Sequence, residues 1–384
     1  MILLTVCMCP RHVHTGLFKT TMNQDKIVEL SKALISIQSE TSKARELDAV
    51  LDVALAELKE YSVESFECNG IRSALIRNQN RRPSRFRVIL NCHLDIVPGK
   101  AENYVPHING NQLKGVGALD MKASAACLIL VFKEVAKHVD FPLGLQIVTD
   151  EETGGFNGTK YQIDQGVRAD FVITGEPTNL EIVNRAKGVL ILKVRAQGKS
   201  AHGAYPWNGT NAISMMQNFL HKLQQLFPNP TCDKWVTTVN IAKIHTENDS
   251  FNKIPDDCTA FFDFRFVPED RERILSRIRD ILPDGFTIEI IADESPVENP
   301  VDNGYVKKLS TISAGYLKKP PVVRYANGTS DLRHFTGIGS TGVEFGPVGG
   351  EIGGDGEWVD IHSLGTYFEI MTTFLLSLNG LEHI

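Results

Sequence analysis

Carboxylates and imidazoles at the ends of short apolar runs are the residues of this chain equipped for chemistry. The run RVILNC (87–92) leads directly into His93-Leu94-Asp95. Residues two apart on an extended chain share a face, so imidazole and carboxylate become neighbours, which suits a metal-bound His with a carboxylate behind it. GVGALDMK places Asp120 after Gly115 and Gly117 at the mouth of a helix. There the glycines permit close backbone approach and the carboxylate can bridge two cations. LGLQIVTD delivers Asp150, Glu151 and Glu152 side by side before Thr153-Gly154-Gly155, and like charges at a strand end are costly unless cations neutralise them. Glu176 in FVITGEP ends a further run, and His362 in WVDIHS supplies a second imidazole.

Taken singly, each feature has a plainer explanation: a hydrogen-bonded core histidine, or an exposed acidic turn. Together, His93, Asp120, Glu152, Glu176 and His362 make a nitrogen and oxygen set suited to two divalent metal ions, zinc first, with cobalt or manganese as alternatives. Each ion would have one His, one terminal carboxylate and a share of Asp120, and Glu151 would take the proton of the attacking water. GVGALD lacks the third glycine and the setting of a dinucleotide fingerprint, and GKSAH fails as a nucleophile elbow at its last position.

The elements that must position these groups alternate. Helices are expected near 24–37, 45–60 and 121–138, and strands at 73–77, 87–92, 143–150 and 171–176. Polar groups therefore gather at strand C-termini, where open α/β sheets place their sites. The stretch 186–294 instead reads β-α-β-β-α-β, the order of a ferredoxin-like sandwich. After Pro296, α/β character resumes with helices near 303–317 and 365–379. The expected fold is a two-lobed α/β protein. A mixed-sheet catalytic lobe (22–185 and 295–384) is interrupted by the inserted α+β lobe (186–294) and preceded by an atypical extension (1–21), with Met22 a plausible second start. His12 and His14 in that extension lack carboxylate company and are read as ordinary terminal histidines.

The 384 residues suffice for two or three domains. Lys and Arg total 40 against 46 for Asp and Glu, a formal charge of −6, which opposes attraction to nucleic acid or anionic lipid. No window approaches the roughly 18 consecutive apolar residues of a membrane span. The seven cysteines are scattered, with no C-x-x-C pair, so a reducing cytoplasm is the expected location.

From about residue 24 to the C-terminus, these ordered motifs resemble the zinc-dependent co-catalytic metallopeptidase and deacylase family. That family includes acetylornithine deacetylase, succinyl-diaminopimelate desuccinylase, aminoacylase and the glutamate carboxypeptidases. The resemblance implies His93 as ligand with Asp95 orienting it, Asp120 bridging, Glu151 as general base, Glu152 as ligand, Glu176 completing one ion's coordination and His362, also a ligand, completing the other's. It also implies that the inserted lobe is a lid through which a homodimer forms, and that His202 of GKSAHGAYP stabilises the oxyanion, often from a partner subunit. Arg265 of FDFRF and the Asn327–Arg333 segment, with Gly328, Thr329, Ser330 and Arg333, match positions that bind a substrate's carboxylate. A Glu at position 176 rather than Asp favours acyl-amino-acid hydrolases or carboxypeptidases over broad aminopeptidases. The implied substrate is a small N-acyl amino acid or short peptide with a free carboxylate. A non-catalytic binding protein on this fold would be expected to have lost ligands or base, and all are present. The loop GPVGGEIGGDGEWVDIH departs from the subfamilies, and its Glu351, Asp355, Glu357 and Asp360 are expected to favour a cationic substrate side chain.

Overall fold

A strand with an unbroken apolar centre, such as Val88–Leu90 within Phe86–His93, needs both of its faces covered. The computed structural model, which describes residues 12–381 with side-chain surroundings from residue 23 onward, meets this condition with a nine-stranded mixed sheet. At its centre Leu143–Val148, Phe86–His93, Ala169–Thr174 and Thr341–Glu344 lie side by side and parallel. One face is buried under the helices His12–Ile35, Ala123–Val135 and Ile361–Leu376 through residues such as Leu34, Phe132 and Phe374. The other lies under Thr159–Asp164 and Leu332–Thr336 through Ile163, Leu332 and Phe335. Because the central strands run the same way, their carboxyl ends deliver His93, the Asp150–Glu152 turn and Glu176 to one edge of the sheet.

The inserted segment folds as its order implies. Strands Thr238–His245, Asp257–Phe266, Gly188–Gln197 and Phe286–Glu294 form an antiparallel sheet in that spatial order. Helices Ala212–Leu226 and Ile274–Asp280 cover one face through Met216, Phe219, Leu223, Ile274 and Ile278. Strict alternation along Asp257–Phe266 buries every second residue, as a sheet with one covered face requires. Asn211 caps the longer helix by accepting from the Ile213 and Ser214 N–H groups.

Three elements differ from expectation. The first helix begins at His12 rather than residue 24; no proline interrupts the sequence from Arg11 to Ile35, and Gly16 alone costs only about 1 kcal/mol. The strand Ser62–Cys68 was not anticipated; it lies on the sheet's outer edge, where half-buried and exposed residues alternate without a matching alternation of apolar and polar types. The last helix begins at Ile361 rather than 365, because the Asp360 side chain accepts from Ser363 N–H and caps it there. The expectations for residues 1–11, Cys7 and Cys9 included, and for the side chains of His12 and His14, lie outside what the structure describes. Among the described residues no helix is long and apolar enough to cross a membrane.

Candidate metal centre

His93 ends the central strand with its ring buried. Its Nδ1 lies 3.0 Å from the Asp95 carbonyl oxygen and 3.5 Å from an Asp95 carboxylate oxygen, which leaves Nε2 to face outward. Nε2 meets Asp120 Oδ1 at 3.2 Å and Glu176 Oε1 at 3.9 Å. The ligand atoms of His93, Asp120 and Glu176 all lie within 4.8 Å of one another. Asp95 does more than orient the imidazole: its two carboxylate oxygens accept from the Glu151 and Glu152 N–H groups at 3.1 and 2.9 Å. One buried carboxylate thus ties the imidazole to the turn that carries both glutamates.

That turn is further constrained from behind. Asp150 Oδ2 accepts from Asn157 and Gly158 N–H, and Gly155, at φ +64°, lies so close to Asp331 that a Cβ there would sit 1.9 Å from Asp331 Oδ1. A buried polar ladder supports Asp331 beneath the sheet. Thr159 Oγ1 donates to Asp331 at 2.5 Å, and Asn91, Gln146, Gln162 and Ser73 continue the chain of hydrogen bonds.

The loop bearing Asp120 is organised by Glu357. Its buried carboxylate accepts from the backbone N–H groups of Gly117, Leu119 and Asp120 at 3.1, 2.7 and 2.9 Å. The small sheet pairing Trp358–Asp360 with Gln112–Lys114 brings it there. Asp360, besides capping the last helix, accepts from Asn111 Nδ2, and Asp355 pairs with Lys100 at the surface. The expectation that this acidic loop recognises a cationic substrate is therefore corrected for Glu357 and Asp360: both carboxylates are occupied by the protein's own donors.

Charge accumulates at this edge of the sheet. Burial, with Asp120 close by, holds the Glu176 carboxyl well above the usual carboxylate range, and burial does the same to Glu151, partly offset by His93. Burial pushes Glu152 up to about 7, again against His93. Burial opposes protonation of His93, yet its hydrogen bonds to Asp120 and Asp95 raise it well above the ordinary imidazole value. A proton on His93 thus stabilises the cluster where a cation would do so more strongly. Glu176 Oε1 is buried without a hydrogen-bond partner. An orphaned carboxylate oxygen facing an imidazole and a second carboxylate is a donor set that fits a divalent cation.

The remaining expected residues divide. Glu151, Glu152, Thr329, Arg265 and Arg333 line one cavity of about 430 Å³, closed on the other side by Val189, Ile191 and Ala292 of the inserted lobe. Arg265 is held there by a two-pronged pairing with Asp263, at 2.9 and 3.1 Å. Ser330 is buried, donating to Glu344, and Gly328 is exposed; neither lines the cavity. Arg333 was expected to offer a free fork, but its Nη1 and Nη2 donate to the Ser330 and Gly154 carbonyls. The side chains of Glu152 and His362 do not join the close group of His93, Asp120 and Glu176; His362 is exposed in the first turn of the last helix. His202 is exposed on the inserted lobe, its Nδ1 accepting from Ala204 N–H, and does not line the cavity. Glu344, pushed by burial up to about 7, and Lys122, fully buried and donating to the Ile37 carbonyl, were not singled out from sequence. A lone Glu ending an apolar run and a Lys following Asp120 were the only signals available.

Residues 89–377 match the family model for peptidase family M20/M25/M40. A succinyl-diaminopimelate desuccinylase of Stenotrophomonas maltophilia is 28% identical over 296 residues, covering 69% of this chain and 76% of that one. A probable carboxypeptidase of Ajellomyces capsulatus is 31% identical over 246 residues, 56% of this chain and 54% of that one. The crystal structure of the Bacillus subtilis YXEP protein, described as a dinuclear metal binding peptidase of the M20 family, superposes with a TM-score of 0.71 at 14% identity. That match covers 95% of this chain and all of the other, 100%. With its fold and its cluster of imidazole and carboxylate ligands, this chain belongs to peptidase family M20/M25/M40 and is a metal-dependent hydrolase of amide or peptide bonds.

Proposed function

We propose that the chain removes an acyl or aminoacyl group from an amino acid that carries a free carboxylate, using two divalent cations, zinc first among the candidates. The observation that carries this reading is the convergence of His93, Asp120 and Glu176, with its orphaned oxygen, beside the turn that bears Glu151. These three residues would hold one ion, and Asp120, Glu152 and His362 the other. When bound, the ions supply Lewis acidity to the scissile carbonyl and to the attacking water.

The protein's own residues do the rest. Glu151, whose burial makes it more basic than an ordinary carboxylate, takes a proton from the water and passes it to the leaving amine nitrogen as the amide bond breaks. Asp95 keeps His93 and the Glu151 turn in register through its three contacts. Arg265, which lines the cavity with Asp263 holding two of its nitrogens, would bind the substrate's carboxylate through the nitrogen that remains. His202 does not line the cavity of its own chain and would donate to the oxyanion of a partner copy, the lid segment 186–294 forming the homodimer and 22–185 with 295–384 the catalytic unit. Five described cysteines are free, which supports a cytoplasmic setting.

A carboxypeptidase or dipeptidase reaction is the second reading, favoured by the relative named a probable carboxypeptidase; it uses the same residues in the same roles. The test is a panel of N-acetyl and N-succinyl amino acids and dipeptides, each with a free or amidated C-terminus, assayed after metal removal and again after zinc is restored. Zinc-dependent turnover confined to free carboxylates is expected. Turnover of the amidated compounds alone would reject the assignment.

A further inference from the structure

Two side chains from the short helix Leu332–Thr336 grip the carbonyl oxygen of Gly154, two residues past Glu152. Arg333 Nη2 donates to it at 2.6 Å and His334 Nε2 at 2.9 Å. A carbonyl only accepts, so the His334 proton is on Nε2. Both side chains are buried, and the second arm of the guanidinium, Nη1, donates to the Ser330 carbonyl at 2.8 Å. The same segment reaches the opposite side of the site. Ser330 Oγ donates to Glu344 Oε1 at 2.6 Å, and Glu344 ends the strand paired with the one that leads to Glu176.

Residues 330–334 therefore span the distance between the ligand strand and the Glu151 turn. Arg333 has spent both arms of its fork on backbone carbonyls. Only its buried Nε lacks a partner, and that atom faces Glu294 of the inserted lobe, whose Oε2 lies 3.7 Å from both Arg333 Nε and His334 Nδ1. Two of its five N–H donors are thus engaged by backbone carbonyls, and the side chain is only 6% exposed, so little of the fork is left for a substrate's carboxylate.

We propose that Arg333 and His334 are positioning residues: they clamp the Gly154 carbonyl, and so hold Glu151 at its working distance from the metal ligands, rather than binding the substrate's carboxylate. This rests on the hydrolase reading given above. Glu294, at the end of the last strand of the inserted lobe, lies beside the clamp.

The test uses full-length protein with R333M, R333K, H334F and H334Q, measuring steady-state kinetics on the panel substrate that wild type cleaves. Hydrogen exchange of the segment 150–158 is followed in parallel. R333M and H334F are expected to lower kcat on the order of 100-fold, as displacement of a catalytic group by about 1 Å does, with KM within about threefold. H334Q, which keeps an N–H donor, is expected to stay within about threefold of wild type. Exchange over 150–158 should rise in R333M and H334F while that of 257–266 is unchanged. A large rise in KM with kcat intact in R333M would make Arg333 a substrate anchor and overturn the proposal, as would equal losses in H334F and H334Q. Should R333M not fold, the His334 pair carries the comparison. If wild type cleaves nothing on the panel, the hydrolase reading fails by itself, and unchanged exchange over 150–158 still rejects the clamp.

Discussion

Removing the Glu357 carboxylate is expected to loosen the loop that presents Asp120. The carboxylate accepts three N–H bonds of 3.1, 2.7 and 2.9 Å in a buried site. Hydrogen bonds to a charged group contribute about 1.5–3 kcal/mol each, and a buried N–H left unpaired costs about 1–3 kcal/mol. Part of that is offset because burial already disfavours the carboxylate, whose proton affinity is raised. Glu357→Ala should therefore cost about 4 kcal/mol of the metal-free protein's stability. Glu357→Gln keeps one carbonyl oxygen, able to serve Leu119 and Asp120 as Oε1 does, but turns an amide N–H₂ toward the Gly117 N–H, and should cost about 2 kcal/mol. Urea unfolding monitored by circular dichroism gives both numbers, and zinc affinity should fall in the same order. Losses under about 0.5 kcal/mol in both variants would show that the three bonds carry no net weight. A rise in KM confined to basic substrates, with stability intact, would restore the carboxylate to substrate recognition and refute the reasoning.

Gly155→Ala places a Cβ 1.9 Å from Asp331 Oδ1 at φ +64°, and should abolish turnover and lower the unfolding midpoint. Gly110→Ala, at φ +58° with open space around it, should cost only the left-handed backbone penalty of about 1–2 kcal/mol and leave activity intact. Burial raises Glu344 from 4.5 to about 7, so the folded metal-free protein retains a proton that the unfolded chain loses. Its stabilisation is then full below about pH 4.5 and declines as pH rises toward 7, by up to about 3 kcal/mol; Asp150 and Glu152, also raised to about 7, add to the same decline, so Glu344→Gln should make it shallower without abolishing it in a pH series of urea titrations. A flat wild-type profile over this interval would contradict the assignment. Mixing a His202→Ala chain with a Glu151→Ala chain should recover activity if His202 acts across subunits; verified mixed dimers without activity would place it elsewhere.

The strands that end in chemistry were legible because each combined an unbroken apolar run with an abrupt polar terminus, and the β-α-β-β-α-β order announced the inserted lobe. What periodicity could not supply was the use of individual carboxylates. Glu357 and Glu351 look alike in the sequence. Only the pairing of Trp358 with Lys114 places Glu357 against three amides while Glu351 stays exposed. Arg333 fits a substrate-binding pattern, but its neighbours in space, Gly154 and Glu294, are 179 and 39 positions away in the chain. Asp95 was legible as a partner of His93, two residues away, and illegible as the acceptor for Glu151 and Glu152, because that contact depends on which strand lies beside which.

The central claim is that a metal-bearing cluster of His93, Asp120 and Glu176 works with Glu151 as base. It is tested most directly by measuring zinc content and turnover together in wild type, Glu151→Gln and Glu176→Gln. Wild type should bind two zinc ions and hydrolyse a free-carboxylate substrate. Glu151→Gln should keep both ions while losing roughly 10²–10⁴-fold in kcat, the range expected of a general base. Glu176→Gln should lose an ion and activity together. Full activity in Glu151→Gln, or undiminished zinc binding in Glu176→Gln, would contradict the account.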